Sequence, residues 1–125
     1  MADSIERLYE GVIRARQGDP TKSRTARLLR SGRAKMAKKL AEEAVEVVID
    51  AMHGNREAVV KESADLVYNL VVLWVSSGVQ PKEVWKEMER RERLFGIAEK
   101  LSKESLDDPR RKVVALEPRR LRKRR

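Results

Sequence analysis

Two stretches with helical spacing, residues 33–52 and 56–75, are separated only by the tripeptide HGN, and this arrangement constrains the fold more than any other feature. Gly54 or Asn55 can adopt the left-handed conformation that commonly ends a helix. Because such a short connection makes consecutive helices pack side by side, the sequence predicts an antiparallel helical hairpin. The segment LVYNLVVLWV is apolar on nearly every face, which indicates that the second helix is the most buried one.

Further helical segments flank this hairpin, and no alternating run bounded by hairpin turns predicts a strand. The sequence therefore predicts an all-α fold, a four-to-five-helix bundle that dimerisation completes. The expected domain covers residues 1–106, and residues 107–125 form a basic C-terminal tail that we expect to be flexible. The additional segments are a helix that begins at Asp3 or Ser4 and ends at Gln17, a short turn over residues 25–32, and a helix that starts after Pro81 and extends to about Ser102.

The net charge of +9 comes almost entirely from that tail. Residues 110–125 hold nine Lys or Arg and one Glu, so the remaining 109 residues are close to neutral. A basic block of this kind is usually solvated and sometimes contacts phosphates or acidic surfaces. Nucleic acid is therefore not an expected partner of the domain, except through the tail.

Several kinds of site are excluded by composition. The chain has no cysteine and one histidine, His53, which excludes disulfides, thiolate metal sites and multi-histidine metal centres. No segment resembles a signal peptide, and no apolar run approaches the roughly 20 residues of a membrane span. These features predict a soluble cytoplasmic protein without a membrane partner.

The hairpin carries two acidic pairs, Glu43 with Glu46 and Glu62 with Asp65. Residues three apart share one face of a helix, and the two pairs lie at equal distances from Gly54. We therefore expect the four carboxylates to converge at one height, where they cannot all remain ionised without a compensating charge. Mg²⁺ prefers oxygen ligands and typically joins carboxylates to substrate phosphates, so the pattern predicts a magnesium site.

A basic group precedes the first acidic pair and consists of Arg27, Lys35, Lys38 and Lys39. Cationic side chains are suitable donors to phosphate oxygens that no metal binds, so the group favours phosphate binding. Each lysine taken alone is better explained as a solvated side chain with a helical partner, such as Lys39 with Glu43. Acidic pairs at this spacing are likewise common on solvated helices, and only the combination of both pairs with apolar neighbours favours a metal site.

The residues from SRTARLLRSGRAKMAKKLAEEAVEVVIDAMHGN to KESADLVYNLVVLWVSSGV resemble the phosphoribosyl-ATP pyrophosphohydrolases, which catalyse the second step of histidine biosynthesis. That family belongs to the all-α nucleoside triphosphate pyrophosphohydrolases, whose hallmark is Glu-x-x-Glu followed by Glu-x-x-Asp. The hallmark is matched here by Glu43, Glu46, Glu62 and Asp65, and the similarity spans roughly residues 5–104.

The resemblance implies Mg²⁺-dependent hydrolysis between the α and β phosphates of phosphoribosyl-ATP, with the four hallmark acids as metal ligands. It implies that Lys38, Lys39 and Arg27 hold phosphate and ribose-phosphate groups. Glu42 is then the candidate that deprotonates or orients the attacking water. The family is dimeric, which together with the apolar segment LVYNLVVLWV predicts a homodimer.

Three positions depart from the family pattern: Ala41 replaces a glycine, Asn69 replaces a histidine, and Phe95 replaces a small polar residue. Asn69 is expected at the substrate, so the departures concern nucleotide recognition and leave the metal ligands intact. A second interpretation is therefore a pyrophosphohydrolase of another nucleoside triphosphate, of the house-cleaning type. A third is a non-catalytic helical module that binds nucleic acid through its tail, although no helix-turn-helix or aromatic basic surface is recognisable.

Overall fold

The computed structural model describes residues 2–95, with side chains from Ser4 onward, and this part of the chain is helical without any strand. The all-α prediction is confirmed. The five helices are α1 (Ala2–Ala15), α2 (Arg24–Arg30), α3 (Arg33–Met52), α4 (Arg56–Ser77) and α5 (Pro81–Phe95).

Helices α3 and α4 form the predicted hairpin and make the most extensive contact between any two helices of residues 2–95. Gly54 adopts φ 71°, a left-handed conformation that a glycine takes without a steric penalty. Asn55 then caps α4, since its side-chain oxygen accepts a hydrogen bond from the backbone N–H of Ala58 at 3.1 Å. The left-handed role thus belongs to Gly54 and the capping role to Asn55.

The core lies where the second half of α4 meets the first half of α3. Val71, Val72 and Val75 of α4 are buried together with Met36, which lies in the first turn of α3. This pairing of one helix end with the opposite end of the other shows that the two helices are antiparallel. Val12 of α1 completes the buried cluster, so the prediction that α4 is the most buried helix is confirmed.

The C-terminal end of α4 receives several hydrogen bonds. Gly78 caps the helix in the left-handed conformation, and Val79 N–H donates to the carbonyl of Trp74 at 2.9 Å. Arg16 donates to the carbonyl of Val75 at 2.8 Å, which places a cation at the negative end of the helix. This hydrogen bond attaches the turn after α1 to the C-terminal end of α4.

The first unit of the chain ends at Val84, and a second compact unit begins at Trp85. Of this second unit the structure describes residues 85–95, where Glu87 accepts hydrogen bonds from both Arg90 and Arg91. The predicted helix end near Ser102 and the predicted domain boundary and tail lie outside the described residues. No helix between residues 2 and 95 has the length and apolar character that crossing a membrane requires.

Candidate metal and phosphate site

Three of the four predicted metal ligands converge between α3 and α4. Glu43, Glu62 and Asp65 each place a carboxylate oxygen within 4.8 Å of the others. The antiparallel hairpin produces this cluster because Glu43 of α3 lies opposite the turn of α4 that carries Glu62 and Asp65. Oxygens at this separation can share one divalent cation after small side-chain rotations.

Glu46, the fourth predicted ligand, is exposed and lies next to Glu62 rather than at the centre of the cluster. The Glu43 carboxylate, which is within hydrogen-bonding reach of Glu62, raises the pKa of Glu62 to about 7. Partial burial of Glu62 and the negative charge of Glu46 act in the same direction. The negative charges of these carboxylates therefore repel one another when all are ionised.

Glu43 supplies the observation that tests whether a metal fits. Its side chain is 13% exposed, and no N–H or hydroxyl group of residues 2–95 donates a hydrogen bond to its buried oxygen Oε1. A buried carboxylate oxygen without a donor is costly unless a cation or a proton compensates it. The carboxylates of Glu43, Glu62 and Asp65 together form an all-oxygen donor set of the kind that Mg²⁺ prefers. The residues present fit a magnesium ion.

A basic cavity of about 280 Å³ lies between α2 and the N-terminal half of α3. Four of the six residues that line it are cationic. Two belong to α2 and two to α3, so cationic side chains of both helices would contact an anion in the cavity. Arginine and lysine are the usual partners of phosphate oxygens. The lining residues are Arg24, Arg27, Leu28, Ser31, Lys35 and Lys39.

Lys39 belongs to both parts of the site. It lines the basic cavity, and its Nζ lies 3.8 Å from Oε2 of Glu43, one helical turn further along α3. The cavity and the carboxylate cluster are therefore adjacent. A phosphate chain that lies in the cavity can extend to a cation held by the carboxylates.

The structure brings Arg27, Lys35 and Lys39 of the predicted substrate group to the cavity, but Lys38 is exposed and is not among the lining residues. Glu42, the predicted general base, is also exposed and lies outside the group of Glu43, Glu62 and Asp65. The substrate roles of Lys38 and Glu42 stay predictions.

Asn69 lies in the interior, where it is 2% exposed. Its amide nitrogen donates to the backbone carbonyl of Asp65 at 2.8 Å. Its side-chain oxygen is buried and accepts no hydrogen bond within residues 2–95. Asn69 thus holds the turn of α4 that carries one of the clustered acids, and its contact with substrate stays a prediction.

Arg24 and Ser31 also line the cavity and were not among the predicted site residues. Arg24 precedes Arg27 by three residues and therefore shares its face of α2, so helical spacing alone could have identified it. Ser31 follows the last residue of α2, and its place at the cavity depends on how the chain turns into α3, which spacing does not predict.

Comparison with known proteins places this chain in a family. A family model for phosphoribosyl-ATP pyrophosphohydrolase matches residues 5–92. A protein of Rhodopseudomonas palustris named phosphoribosyl-ATP pyrophosphatase 2 is 61% identical, and the alignment covers all of both chains. A Bradyrhizobium diazoefficiens protein of the same name is 59% identical over 99% of both chains.

A third relative extends the similarity beyond these two close matches. The phosphoribosyl-ATP pyrophosphatase of Granulibacter bethesdensis is 52% identical over 79% of this chain and 62% of its own length. Residues 5–92, which the family model matches, include both acidic pairs and the residues that line the basic cavity. The chain belongs to the phosphoribosyl-ATP pyrophosphohydrolase family.

Proposed function

We propose that this protein hydrolyses phosphoribosyl-ATP to phosphoribosyl-AMP and pyrophosphate with the help of Mg²⁺, as the second step of histidine biosynthesis. The names of its relatives support this substrate. The observation that carries the chemistry is the adjacency of a carboxylate cluster and a basic cavity through Lys39 and Glu43.

Glu43, Glu46, Glu62 and Asp65 are the proposed ligands of the metal. When bound, Mg²⁺ neutralises charge on phosphate oxygens and makes a coordinated water more acidic. The carboxylates would hold the ion in a fixed position relative to α3 and α4, and the ion would supply the positive charge that binds the phosphates. The proximity of Glu43 and the negative charge of Glu46 raise the pKa of Glu62, and a cation held by these residues would compensate their charge.

The cations of the basic cavity bind and orient the rest of the substrate. Arg27 and Lys35 donate to phosphate oxygens away from the reacting bond, while Lys39 donates to those nearest the carboxylates. Lys38 is proposed to assist from the exposed side of α3. Holding the anhydride in line for attack contributes to catalysis because little other covalent chemistry is required in phosphoryl transfer.

Glu42 is proposed to accept the proton of the attacking water. It precedes Glu43 directly on α3, is exposed and is not one of the proposed metal ligands, so its carboxylate is available to accept a proton. Because Glu42 is exposed to solvent, it can release the accepted proton to bulk water after each turnover.

The decisive experiment measures pyrophosphate release from phosphoribosyl-ATP with and without Mg²⁺, beside a panel of ordinary nucleoside triphosphates. We expect rapid release only with Mg²⁺ and the ribosylated substrate, and a large loss in Glu46→Gln. Unchanged turnover in Glu46→Gln would remove Glu46 from the ligand set. Faster turnover of a plain triphosphate would favour the second candidate, a pyrophosphohydrolase of another nucleotide, which the substitution at Asn69 supports.

We also propose that the protein is a cytoplasmic homodimer. One face of α3 exposes large apolar side chains at helical spacing, which a monomer would leave in contact with water. Val60 of α4 is a further large apolar side chain that is exposed. A second copy of the hairpin offers the same face and can bury both. The exposed residues of α3 are Val45, Val48, Ile49 and Met52.

A further inference from the structure

A polar contact joins α2 to α4. Oγ1 of Thr25 and Oη of Tyr68 lie 2.6 Å apart in a partly buried hydrogen bond, in which either hydroxyl can be the donor. The guanidinium of Arg24 lies 6.0 Å from the centre of the Tyr68 ring, within the range of a cation–π interaction. Tyr68 therefore contacts two consecutive residues of α2.

Helix α2 determines the shape of the basic cavity. Arg24, Arg27 and Leu28 of this helix line the cavity, and so does Ser31, which follows its last residue. The opposite wall is formed by α3. The separation between the guanidinium groups of α2 and the ammonium groups of α3 therefore depends on where α2 lies.

Apolar contacts and one polar contact hold α2 in place. It has only seven residues, and Ala26 is its one fully buried side chain. Leu28 and Leu29 are partly buried and pack against the core cluster, but apolar contacts of this kind are not directional. The hydrogen bond between Thr25 and Tyr68 adds a directional contact with α4.

We propose that the Thr25–Tyr68 hydrogen bond positions α2 for substrate binding, so that Arg24 and Arg27 engage the same phosphate groups as Lys35 and Lys39. The inference rests on the proposed function in that it assumes a phosphate-bearing substrate in the cavity. Arg24 is assigned as a further phosphate-binding residue, and Thr25 and Tyr68 are positioning residues that do not contact the reacting atoms.

The connection to α4 gives the contact its significance. Tyr68 lies one turn beyond Asp65 on the helix that also carries Glu62. The hydrogen bond thus sets the position of the cavity arginines relative to the carboxylate cluster. Charge-assisted hydrogen bonds to phosphate weaken steeply with distance, so a small displacement of α2 lowers substrate affinity while the carboxylates stay in place.

The test is a double-mutant cycle with Tyr68→Phe, Thr25→Val and the double variant, assayed with phosphoribosyl-ATP and Mg²⁺. Phenylalanine retains the ring beside Arg24 and removes only the hydroxyl. We expect KM to rise about three- to tenfold in each single variant, the effect of losing one neutral hydrogen bond, with kcat nearly constant. The double variant is expected to be no worse than either single variant, because both remove the same contact.

Two variants serve as matched controls. Thr25→Ser retains the hydroxyl and is expected to keep the wild-type KM. Tyr9→Phe removes the other tyrosine hydroxyl of the chain, on α1 and away from the basic cavity, and is also expected to keep it. A wild-type KM in both Tyr68→Phe and Thr25→Val would overturn the proposal, and so would equal increases in Tyr9→Phe.

Isothermal titration with inorganic tripolyphosphate separates this inference from the proposed function. If the wild-type protein does not hydrolyse phosphoribosyl-ATP, the proposed function fails, but weaker tripolyphosphate binding in Tyr68→Phe would still support the positioning role. If the wild type is active and tripolyphosphate binds Tyr68→Phe as tightly as wild type, the positioning role is wrong. If Tyr68→Phe does not fold, the tripolyphosphate affinity and KM of Thr25→Val are compared with those of Thr25→Ser instead.

Discussion

Nζ of Lys39 lies 3.8 Å from Oε2 of Glu43, and the same lysine lines the basic cavity. The two residues are one turn apart on α3, so the backbone of a single helix sets the distance between a proposed phosphate ligand and a proposed metal ligand. Such a fixed distance favours a substrate that is held by both at once, and a nucleoside triphosphate derivative has the charge and length to do so.

Replacement of Lys39 by Met tests this relationship. We expect KM for the Mg²⁺-bound substrate to rise by about tenfold or more, since a charge-assisted hydrogen bond is lost. Steady-state kinetics with phosphoribosyl-ATP measures the effect. Lys22→Met, which removes an exposed lysine from the loop before α2, is the matched control and should leave KM unchanged. A wild-type KM in Lys39→Met would contradict the role of Lys39.

Glu42→Gln tests the proposed general base. We expect kcat to fall by about 100-fold or more, because the water loses its proton acceptor, while Mg²⁺ binding stays intact. Glu57→Gln, on an exposed position in the first turn of α4, makes the same chemical change away from the cluster. Equal kcat values for Glu42→Gln and Glu57→Gln would require a different base.

The raised pKa of Glu62 predicts that the metal-free protein loses stability as the pH rises. The pKa is about 7 in the folded protein and 4.5 in the unfolded chain, so between these values the folded state binds more protons. The free energy of unfolding therefore falls from pH 4.5 to pH 7, and outside that window this group causes no further change with pH. Urea denaturation in the presence of a chelator measures the free energy of unfolding at each pH.

Glu62→Gln is the control for that experiment because it removes the titrating group. We expect the free energy of unfolding of this variant to lack the contribution of Glu62 to the decrease between pH 4.5 and 7. Addition of Mg²⁺ to the wild-type protein should stabilise it more at pH 8 than at pH 5, since a cation binds the ionised cluster better. An identical pH profile for wild type and Glu62→Gln would show that another group is responsible.

The proposed dimer is tested with two isoleucines of similar exposure. Ile49 on the apolar face of α3 is 47% exposed, and Ile13 of α1 is 41% exposed. We expect Ile49→Glu to reduce the molar mass in sedimentation equilibrium to that of a monomer, because a charge would be buried against the second copy. Ile13→Glu should retain the dimer mass. Dissociation by both substitutions, or by neither, would contradict an interface on this face of α3.

The hairpin and its acids could be predicted from local sequence signals. Gly54 and Asn55 specify the turn by their own conformational preferences, and equal spacing from that turn aligns Glu43 with Glu62 and Asp65. Of the four carboxylates predicted to converge, three lie together, because their placement depends only on helix periodicity and antiparallel packing. Their binding of a metal stays a prediction.

Features that depend on tertiary packing could not be predicted from the sequence in the same way. Helical spacing placed Lys38 and Lys39 together, yet only Lys39 lines the cavity, since neighbouring residues point about 100° apart around a helix. The contact between Thr25 and Tyr68 joins residues 43 positions apart, and no local pattern predicts it. The burial of Asn69 likewise follows from how α4 packs, which its polar side chain would not suggest.

The most direct test of the central claim is a titration with Mn²⁺, which substitutes for Mg²⁺ at oxygen sites, followed by electron paramagnetic resonance of the free ion. We predict that the wild-type protein binds Mn²⁺ and releases it when Mg²⁺ is added in excess. The folded triple variant Glu43→Gln, Glu62→Gln, Asp65→Asn should leave the ion free. Wild-type Mn²⁺ binding by that variant would contradict the assignment of these carboxylates as the metal site.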